Sequence, residues 1–189
     1  MANKDAAFGL RPIGKVGQNR DAQGLSEYSI AASATAIYQN DPVKALATGT
    51  IGVAAAGDTL LGSLNGVFYT DPSNSKPTFA NHLDASNTAT DIVGFVSDDP
   101  YERFEIQSNG TNATTQASVF FNYNIEYTAG DSANYISKVE LSETTGVSTT
   151  AQLRLIGFSK DPSNDDISSA NVNMVVTINE HFLKSTTGI

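Results

Sequence analysis

Two histidines are the side chains in this sequence best suited to acid–base chemistry. His82 lies in a stretch rich in Asn and Ser, and His181 lies near the end of the chain. A catalytic histidine needs a nucleophile or an orienting partner, and neither residue belongs to a recognisable signature of that kind. We therefore predict no enzyme activity and no catalytic residues. A hydrolase that uses His82 or His181 as its base is the weaker alternative.

Short acidic clusters are the next candidates, because carboxylates bind hard cations. They are Asp98-Asp99 with Glu102, Asp161 with Asp165-Asp166, and Asp58 beside Gly57. Calcium takes six to eight oxygen ligands, often from carboxylates that alternate along one loop, and Asn164-Asp165-Asp166 lacks that spacing. Turn formation and solubility explain these residues better, so we predict no metal site. A structural calcium ion is the alternative.

Cofactor chemistry has little support in the composition. The chain has no cysteine, which excludes a disulfide framework and a thiolate metal site. Its glycines match no phosphate-binding motif, so no cofactor is predicted. Tyr123, Tyr127 and Tyr135 suggest a sugar-stacking platform, but sugar-binding faces usually also use Trp, and the chain has none. Sheet packing or a subunit contact is the favoured interpretation, and a carbohydrate-binding β-domain remains an alternative.

Length and charge limit the number of domains and the kinds of partner that the chain can have. A chain of 189 residues forms one domain, or one domain with an appended arm. Its formal net charge of −9 repels nucleic acid and anionic membranes, so neither is an expected partner. No apolar run is long enough to span a bilayer. Met1 to Asp5 lead into no apolar stretch, so export through a signal peptide is not expected and the chain should be made in the cytoplasm.

Residues alternate between apolar and polar over long parts of the chain, which is typical of half-buried antiparallel strands. The pattern is clear at Phe104 and Ile106, at Leu153 and Leu155, and from Val172 to Ile178. Ile92 to Val96 reads as a buried strand. Asn65-Gly66 and Asn109-Gly110 read as hairpin turns, and residues 71–90 as a long surface loop.

The only helical pattern lies at Tyr135 to Thr144. The fold class predicted from these patterns is mainly β, an antiparallel β-barrel or β-sandwich with an extended N-terminal arm and little helix.

The arm is predicted from the first 25 residues, with a single β-rich domain over 26–189. Glycines and Pro12 argue against a helix or central strand there. Phe8, Leu10, Pro12 and Ile13 form a small apolar cluster, so we expect the arm to become ordered by docking. The candidate partner-binding residues are Phe8, Leu10, Arg11, Pro12 and Ile13.

Several motifs in order along the chain resemble the head decoration, or cement, proteins of tailed bacteriophages, especially phages of aquatic bacteria. They are Ala7-Phe8-Gly9-Leu10-Arg11-Pro12, Asn40-Asp41-Pro42-Val43, Gly66-Val67-Phe68-Tyr69, Gly94-Phe95-Val96, Phe104-Glu105-Ile106-Gln107 and Ile178-Asn179-Glu180-His181-Phe182. The family commonly shows Gly where this chain has Asn40. The resemblance implies a β-rich homotrimer on the outside of an icosahedral head, bound to the major capsid protein where capsomers meet.

A clamp across capsomer joints needs a rigid body and a segment that reaches a neighbour. Extended residues from Ala2 to Ile13 span ~40 Å, enough to cross to another subunit. Burial of Phe8 and Leu10 contributes roughly 1.5–3 kcal/mol each, less than the cost of ordering the arm, so backbone hydrogen bonds must also form. Arg11 is expected to pair with an acidic group on the shell. Another virion part, such as a tail, neck or fibre-base protein, is the main alternative.

Overall fold

The computed structural model describes residues 2–17, 24–111, 114–130, 132–147 and 149–189, which form thirteen strands and three short 3₁₀ helices. The strands are β1 (Arg11–Lys15), β2 (Ser26–Ser29), β3 (Pro42–Ala45), β4 (Ile51–Val53), β5 (Gly62–Thr70), β6 (Pro77–Ala80), β7 (Val93–Ser97), β8 (Glu102–Gln107), β9 (Asn122–Tyr123), β10 (Ile125–Glu126), β11 (Glu140–Leu141), β12 (Leu153–Phe158) and β13 (Asn173–Ile178). The 3₁₀ helices are Gln116–Ser118, Glu143–Thr145 and Phe182–Lys184.

The chain is mainly β, and each strand pair of the described sheets is antiparallel. This confirms the predicted fold class. Among the described residues, no helix has the length and apolar character needed to cross a membrane.

The first sheet has the strand order β1-β8-β13-β12-β9. Phe104 and Ile106 lie opposite Val176 and Met174, and all four side chains are fully buried on one face. This apolar face forms a core with the β10–β11 ribbon and with Leu10. The predicted alternation of β8 and β13 is therefore confirmed, because one face of each strand packs against a core.

The second sheet has the strand order β2-β7-β5-β3-β4, with β6 paired to one end of β5. A bridge between Ile30 and Ile51 joins the end of β2 to the start of β4, so the sheet curls around a core of its own. Gly94 is required inside it, since a Cβ there would lie 2.9 Å from Ile30 Cδ1. The chain thus has two separate apolar cores, one for each sheet.

The predicted helix at Tyr135 to Thr144 is wrong. Ser137, Val139 and Leu141 are fully buried while Lys138 and Glu140 between them are only partly buried, a period of two that belongs to extended chain. The segment contains β11 and is followed by a 3₁₀ helix. The alternation at Val139 and Leu141 was therefore the informative signal.

The two predicted Asn-Gly hairpins are also wrong. β5 runs straight through Asn65-Gly66 with only a register shift opposite Phe95. Gly66 is needed for close packing, because a Cβ there would lie 2.9 Å from the carbonyl oxygen of Ala80. Asn109-Gly110 follows β8, whose sheet neighbours are β1 and β13 rather than the next strand in sequence. The surface loop predicted over 71–90 contains β6.

Candidate interaction surface

The start of the chain, residues 2–17 (the leading segment), is extended but lies on the chain's own domain. β1 pairs with β8 as an edge strand of the first sheet. Residues 18–23 lie outside the described residues, so the predicted boundary of the arm at residue 25 stays a prediction. The segment forms part of the folded domain before any partner is present.

Leu10 requires a correction as a partner-binding residue. Its side chain is fully buried in the core of the first sheet. Its backbone N–H donates to Asn40 O at 2.9 Å, and its carbonyl accepts from the Ser63 hydroxyl at 2.6 Å. Gly9 beside it has φ +74°, and a Cβ there would lie 2.3 Å from Asn40 O. Leu10 therefore anchors the leading segment to the domain and offers no side-chain surface to a partner.

Arg11 already forms an ion pair within the chain, although it was expected to pair with an acidic group on the shell. Its guanidinium forms an ion pair with Glu105, whose side chain is only 7% exposed, and lies 4.5 Å from the centre of the Phe8 ring. Phe8 is half-buried by this contact. The expected pairing of Arg11 with the shell therefore competes with an existing intramolecular pair.

Pro12 and Ile13 remain at the surface of the edge strand. Pro12 is half-buried, and the Ile13 side chain is 49% exposed. Val16 and Leu25 are also exposed and apolar. Among the five predicted contact residues, Ile13 has the most exposed apolar side chain.

Polar side chains hold the first residues of the leading segment. Gln107 accepts from the Ala6 N–H at 2.8 Å and donates to Lys4 O at 3.0 Å. Asn164 also donates to Lys4 O, at 2.8 Å, and the Asn3 amide donates to Asp166 O at 2.9 Å. Gln107 and Asn164 are buried. The leading segment thus satisfies the buried polar groups on the outer face of the first sheet.

The second sheet carries an aromatic patch on its outer face, which sequence reasoning missed. Phe68, Phe79 and Phe95 form this outer aromatic patch, with ring centres 4.6 Å apart for Phe68–Phe79 and 6.2 Å apart for Phe79–Phe95. Phe79 is 75% exposed. The alternation of Pro77 and Phe79 with Thr78 and Ala80 could have predicted β6 and its exposed Phe79. The polar residues on both sides of this segment made it look like a surface loop.

A second exposed aromatic group lies beside β9. Phe120 is 72% exposed and Phe121 is 45% exposed. Phe120 has φ +77°, a backbone conformation that bulky side chains rarely adopt. Its N–H donates to Leu155 O at 2.8 Å, which holds the residue in place at the end of the first sheet.

The two histidines occupy separate places and neither bonds to a hydroxyl nucleophile among the described residues. His82 stacks on Tyr135 with ring centres 3.6 Å apart, and its Nδ1 lies 2.9 Å from Asn81 Oδ1. His181 is buried and accepts from the Leu183 N–H through Nδ1. Burial lowers the pKa of His181 to about 4, so the ring is neutral at pH 7.

Asp41 is a buried carboxylate at the seam between the leading segment and the second sheet. Burial raises its pKa to about 6, although the nearby Ser137 hydroxyl and the Tyr38 N–H oppose that rise. Oδ2 accepts from Tyr38 N at 2.8 Å, while Oδ1 is buried without a well-formed hydrogen bond among the described residues. Asp41 therefore links stability to pH at this seam.

The acidic clusters and the tyrosines named from the sequence are used within the fold. Asp98 accepts from the Tyr28 hydroxyl at 2.6 Å, and Asp58 pairs with Lys44 at 2.7 Å. Among the described residues, no group of three His, Cys, Asp or Glu side chains is placed to hold a metal ion. Tyr123 is buried and Tyr127 packs against the same core, as the favoured interpretation of sheet packing expects, so the alternative of a sugar-stacking platform of three tyrosines does not form.

Comparisons of the chain with family models, with curated proteins and with solved structures give no match.

Proposed function

We propose that the chain is a structural virion protein that binds the outer surface of an icosahedral phage head. In this proposal it acts as a homotrimer and stabilises the junctions between capsomers through contacts with the major capsid protein. It is made in the host cytoplasm and catalyses no reaction. The ordered motifs that resemble head decoration proteins support the family, and the β-rich fold is compatible with it.

The observation that carries the proposal is the amount of apolar surface left open on a rigid β framework. Phe79 of the outer aromatic patch, the Phe120–Phe121 pair and Ile13 at the edge strand are exposed, although the chain has buried two complete cores. Exposed apolar patches mark surfaces that bind other proteins. With Leu10 already buried, the part of the leading segment left to contact the shell is the edge at Pro12 and Ile13.

Binding to purified heads that lack this chain tests the proposal. We expect the full chain to sediment with such heads, to appear as density on their outer surface and to raise the temperature at which they release DNA. Density on tails, or no binding to heads at saturating concentration, would contradict it.

Point variants test the leading segment better than its deletion, because deletion removes Leu10 from the core. Ile13→Asp should weaken head binding at least tenfold, since a buried Ile contributes roughly 1.5–3 kcal/mol and 1.4 kcal/mol is a factor of ten. Val147→Asp is the matched control, because Val147 is also exposed but lies away from this edge. Equal binding by both variants would exclude the edge as the contact.

A further inference from the structure

A lysine, an aspartate and a glutamate lie together where the leading segment meets the connection between β7 and β8. Lys15 is the last residue of β1, and its Nζ lies 2.9 Å from Oδ2 of Asp99 in that connection. The strand register places Lys15 directly opposite Glu102, the first residue of β8. Residues opposite each other in an antiparallel pair lie on the same face, with Cβ atoms about 5 Å apart. The three side chains therefore share one site.

The side chains of this site are largely withdrawn from water. The exposed fraction is 14% for the Lys15 side chain and 16% for the Asp99 side chain. Glu102 is only 6% exposed. Because withdrawal from water removes hydration from both charges of the ion pair, passing a proton from the ammonium to the carboxylate costs less here than at the surface. The amine left by that transfer is a nucleophile.

Glu102 is suited to move a proton between the two reacting groups. Burial raises the pKa of its carboxyl; Lys15 opposes that rise, Asp99 adds to it, and the Gly14 N–H opposes it. A carboxyl with a raised pKa keeps its proton closer to neutral pH and can donate it to a reacting atom. The sequence grouped Glu102 with Asp98-Asp99 as candidate ligands of a cation, and in the structure the cation is Lys15 of the chain itself.

Backbone contacts hold the reacting groups in place. Oδ1 of Asp99 accepts from the Tyr101 N–H at 2.8 Å, while Oδ2 faces Lys15. Val16 N–H donates to Tyr101 O at 2.8 Å, and the Arg103 guanidinium donates to Lys15 O at 3.1 Å. Groups held in this way react without the entropic cost of being brought together. The donor on Oδ1 stabilises the negative charge that develops on this oxygen when an amine adds to the carboxyl carbon.

We propose that Lys15 and Asp99 condense to an amide (isopeptide) bond within the chain. One proton passes from Nζ of Lys15 to Oδ2 of Asp99. Nζ then attacks Cγ, the Nζ–Cγ bond forms, and Oδ1 carries the negative charge. Glu102 donates its proton to Oδ2 and takes up a second proton from Nζ, while the Cγ–Oδ2 bond breaks and Oδ2 leaves as water. An ammonium and a carboxylate thus give one amide and one water, with no oxidant and no cofactor.

The bond joins the end of the leading segment covalently to the β7–β8 connection. A chain without cysteine has no disulfide to make such a link, and an amide, unlike a disulfide, resists reduction. A covalent loop restricts the unfolded chain and so favours the folded one. The reaction occurs once in each chain and turns over no substrate. The inference goes beyond the proposed function and does not depend on head binding.

The intact mass of the denatured full chain tests the proposal. We expect the purified chain to be lighter than its sequence by one water molecule, and trypsin to leave a branched peptide that joins Lys15 to Asp99. Lys15→Arg, Asp99→Ala and Glu102→Gln should each have the full mass of their sequence. Asp99→Asn should instead lose one ammonia molecule, because the amide nitrogen becomes the leaving group. This positive result does not depend on variants that lose the bond.

The ion pair of Lys44 with Asp58 provides a matched control. Its Nζ–Oδ2 distance is 2.7 Å, but its side chains are 30% and 29% exposed. The residue opposite Lys44 on β4 is Gly52, which has no carboxyl to relay a proton. Lys44→Arg should therefore show the same loss of water as the unmodified chain.

Several results would overturn the inference. A folded, unmodified chain that keeps the full mass of its sequence after prolonged incubation at pH 7 would show that Lys15 and Asp99 form an ion pair only. Loss of water that persists in Lys15→Arg, or loss of water rather than ammonia in Asp99→Asn, would place the reaction elsewhere. So would a branch at Lys184, whose charge also interacts with Asp99. Persistence of the bond in Glu102→Gln would refute the proton relay.

Discussion

The two sheets treat their outer faces in opposite ways. The outer face of the first sheet carries polar residues, including Glu105, Gln107 and Asn173. These residues are buried because the leading segment and the loop that includes Asn164 cover them. The second sheet places Phe68, Phe79 and Phe95 on its outer face, where Phe68 and Phe95 are half-buried and Phe79 is exposed. The chain thus covers its polar face and exposes its aromatic one. An apolar side chain exposed in this way is suited to contact with another protein, which the proposed function requires.

The largest expected effect is on the covered side. Leu10→Ala should lower the free energy of unfolding by about 2–5 kcal/mol, because it removes a fully buried side chain from the core. Ile13→Ala, three residues along the same segment, should cost less than about 1 kcal/mol because its side chain is half exposed. Urea unfolding measures both. Equal losses would mean that the leading segment is not anchored through Leu10.

Asp41 lies where the leading segment meets the second sheet, so the pH dependence of stability tests how these two parts are joined. Its pKa is raised from 3.8 to about 6, so the folded chain binds its proton more tightly than the unfolded chain does. The contribution of Asp41 to stability is therefore full below pH 3.8 and is lost as the pH rises through 6. A shift of about two pKa units corresponds to at most about 3 kcal/mol.

The difference in free energy of unfolding between the unmodified chain and Asp41→Asn, measured as a function of pH, isolates the contribution of Asp41. The low pKa of His181 has the opposite sign, because its neutral form is favoured in the fold and stability falls as the pH drops from 6.5 to 4. His181 contributes equally to both proteins and cancels. We expect Asp41→Asn to gain stability relative to the unmodified chain as the pH rises from 4 to 7. A difference that does not vary with pH would contradict the assignment.

Gln107→Leu tests how the polar face is covered. The change keeps the volume but removes the hydrogen bonds to Ala6 N–H and Lys4 O. A loss of about 1–2 kcal/mol is expected, and amide exchange at Ala6 should accelerate about tenfold. Thr177→Val is the control on the same face of the first sheet. Unchanged exchange at Ala6 would show that Gln107 does not hold the leading segment.

Phe79→Ser should have the smallest effect on the stability of the single chain. At concentrations where the chain is monomeric, we expect a loss below about 1 kcal/mol, because Phe79 is 75% exposed and packs mainly against Phe68. Thermal unfolding at high dilution measures this. A loss above about 2 kcal/mol would mean that the outer aromatic patch stabilises the chain itself, and the contrast between the two faces would disappear.

Local patterns predicted the strands whose two faces have different environments. Phe104 and Ile106 alternate with polar residues, and β8 and β13 lie where that alternation places them. The helix at Tyr135 to Thr144 was predicted wrongly because Lys138 and Glu140 obscured the alternation of Val139 and Leu141. Of the candidate site, the sequence identified Ile13 but not the outer aromatic patch, because its members lie on three strands, β5, β6 and β7, and meet only through the pairing of these strands.

The sequence by itself determined a cysteine-free, acidic, mainly β chain, since composition and period-two patterning depend only on neighbouring residues. Tertiary structure decided which strands pair and which faces are covered. It placed Leu10 in the core, closed the Arg11–Glu105 pair and left Phe79 open. These outcomes depend on contacts between residues distant along the chain, and for such contacts strand order and register must be known before burial can be assigned.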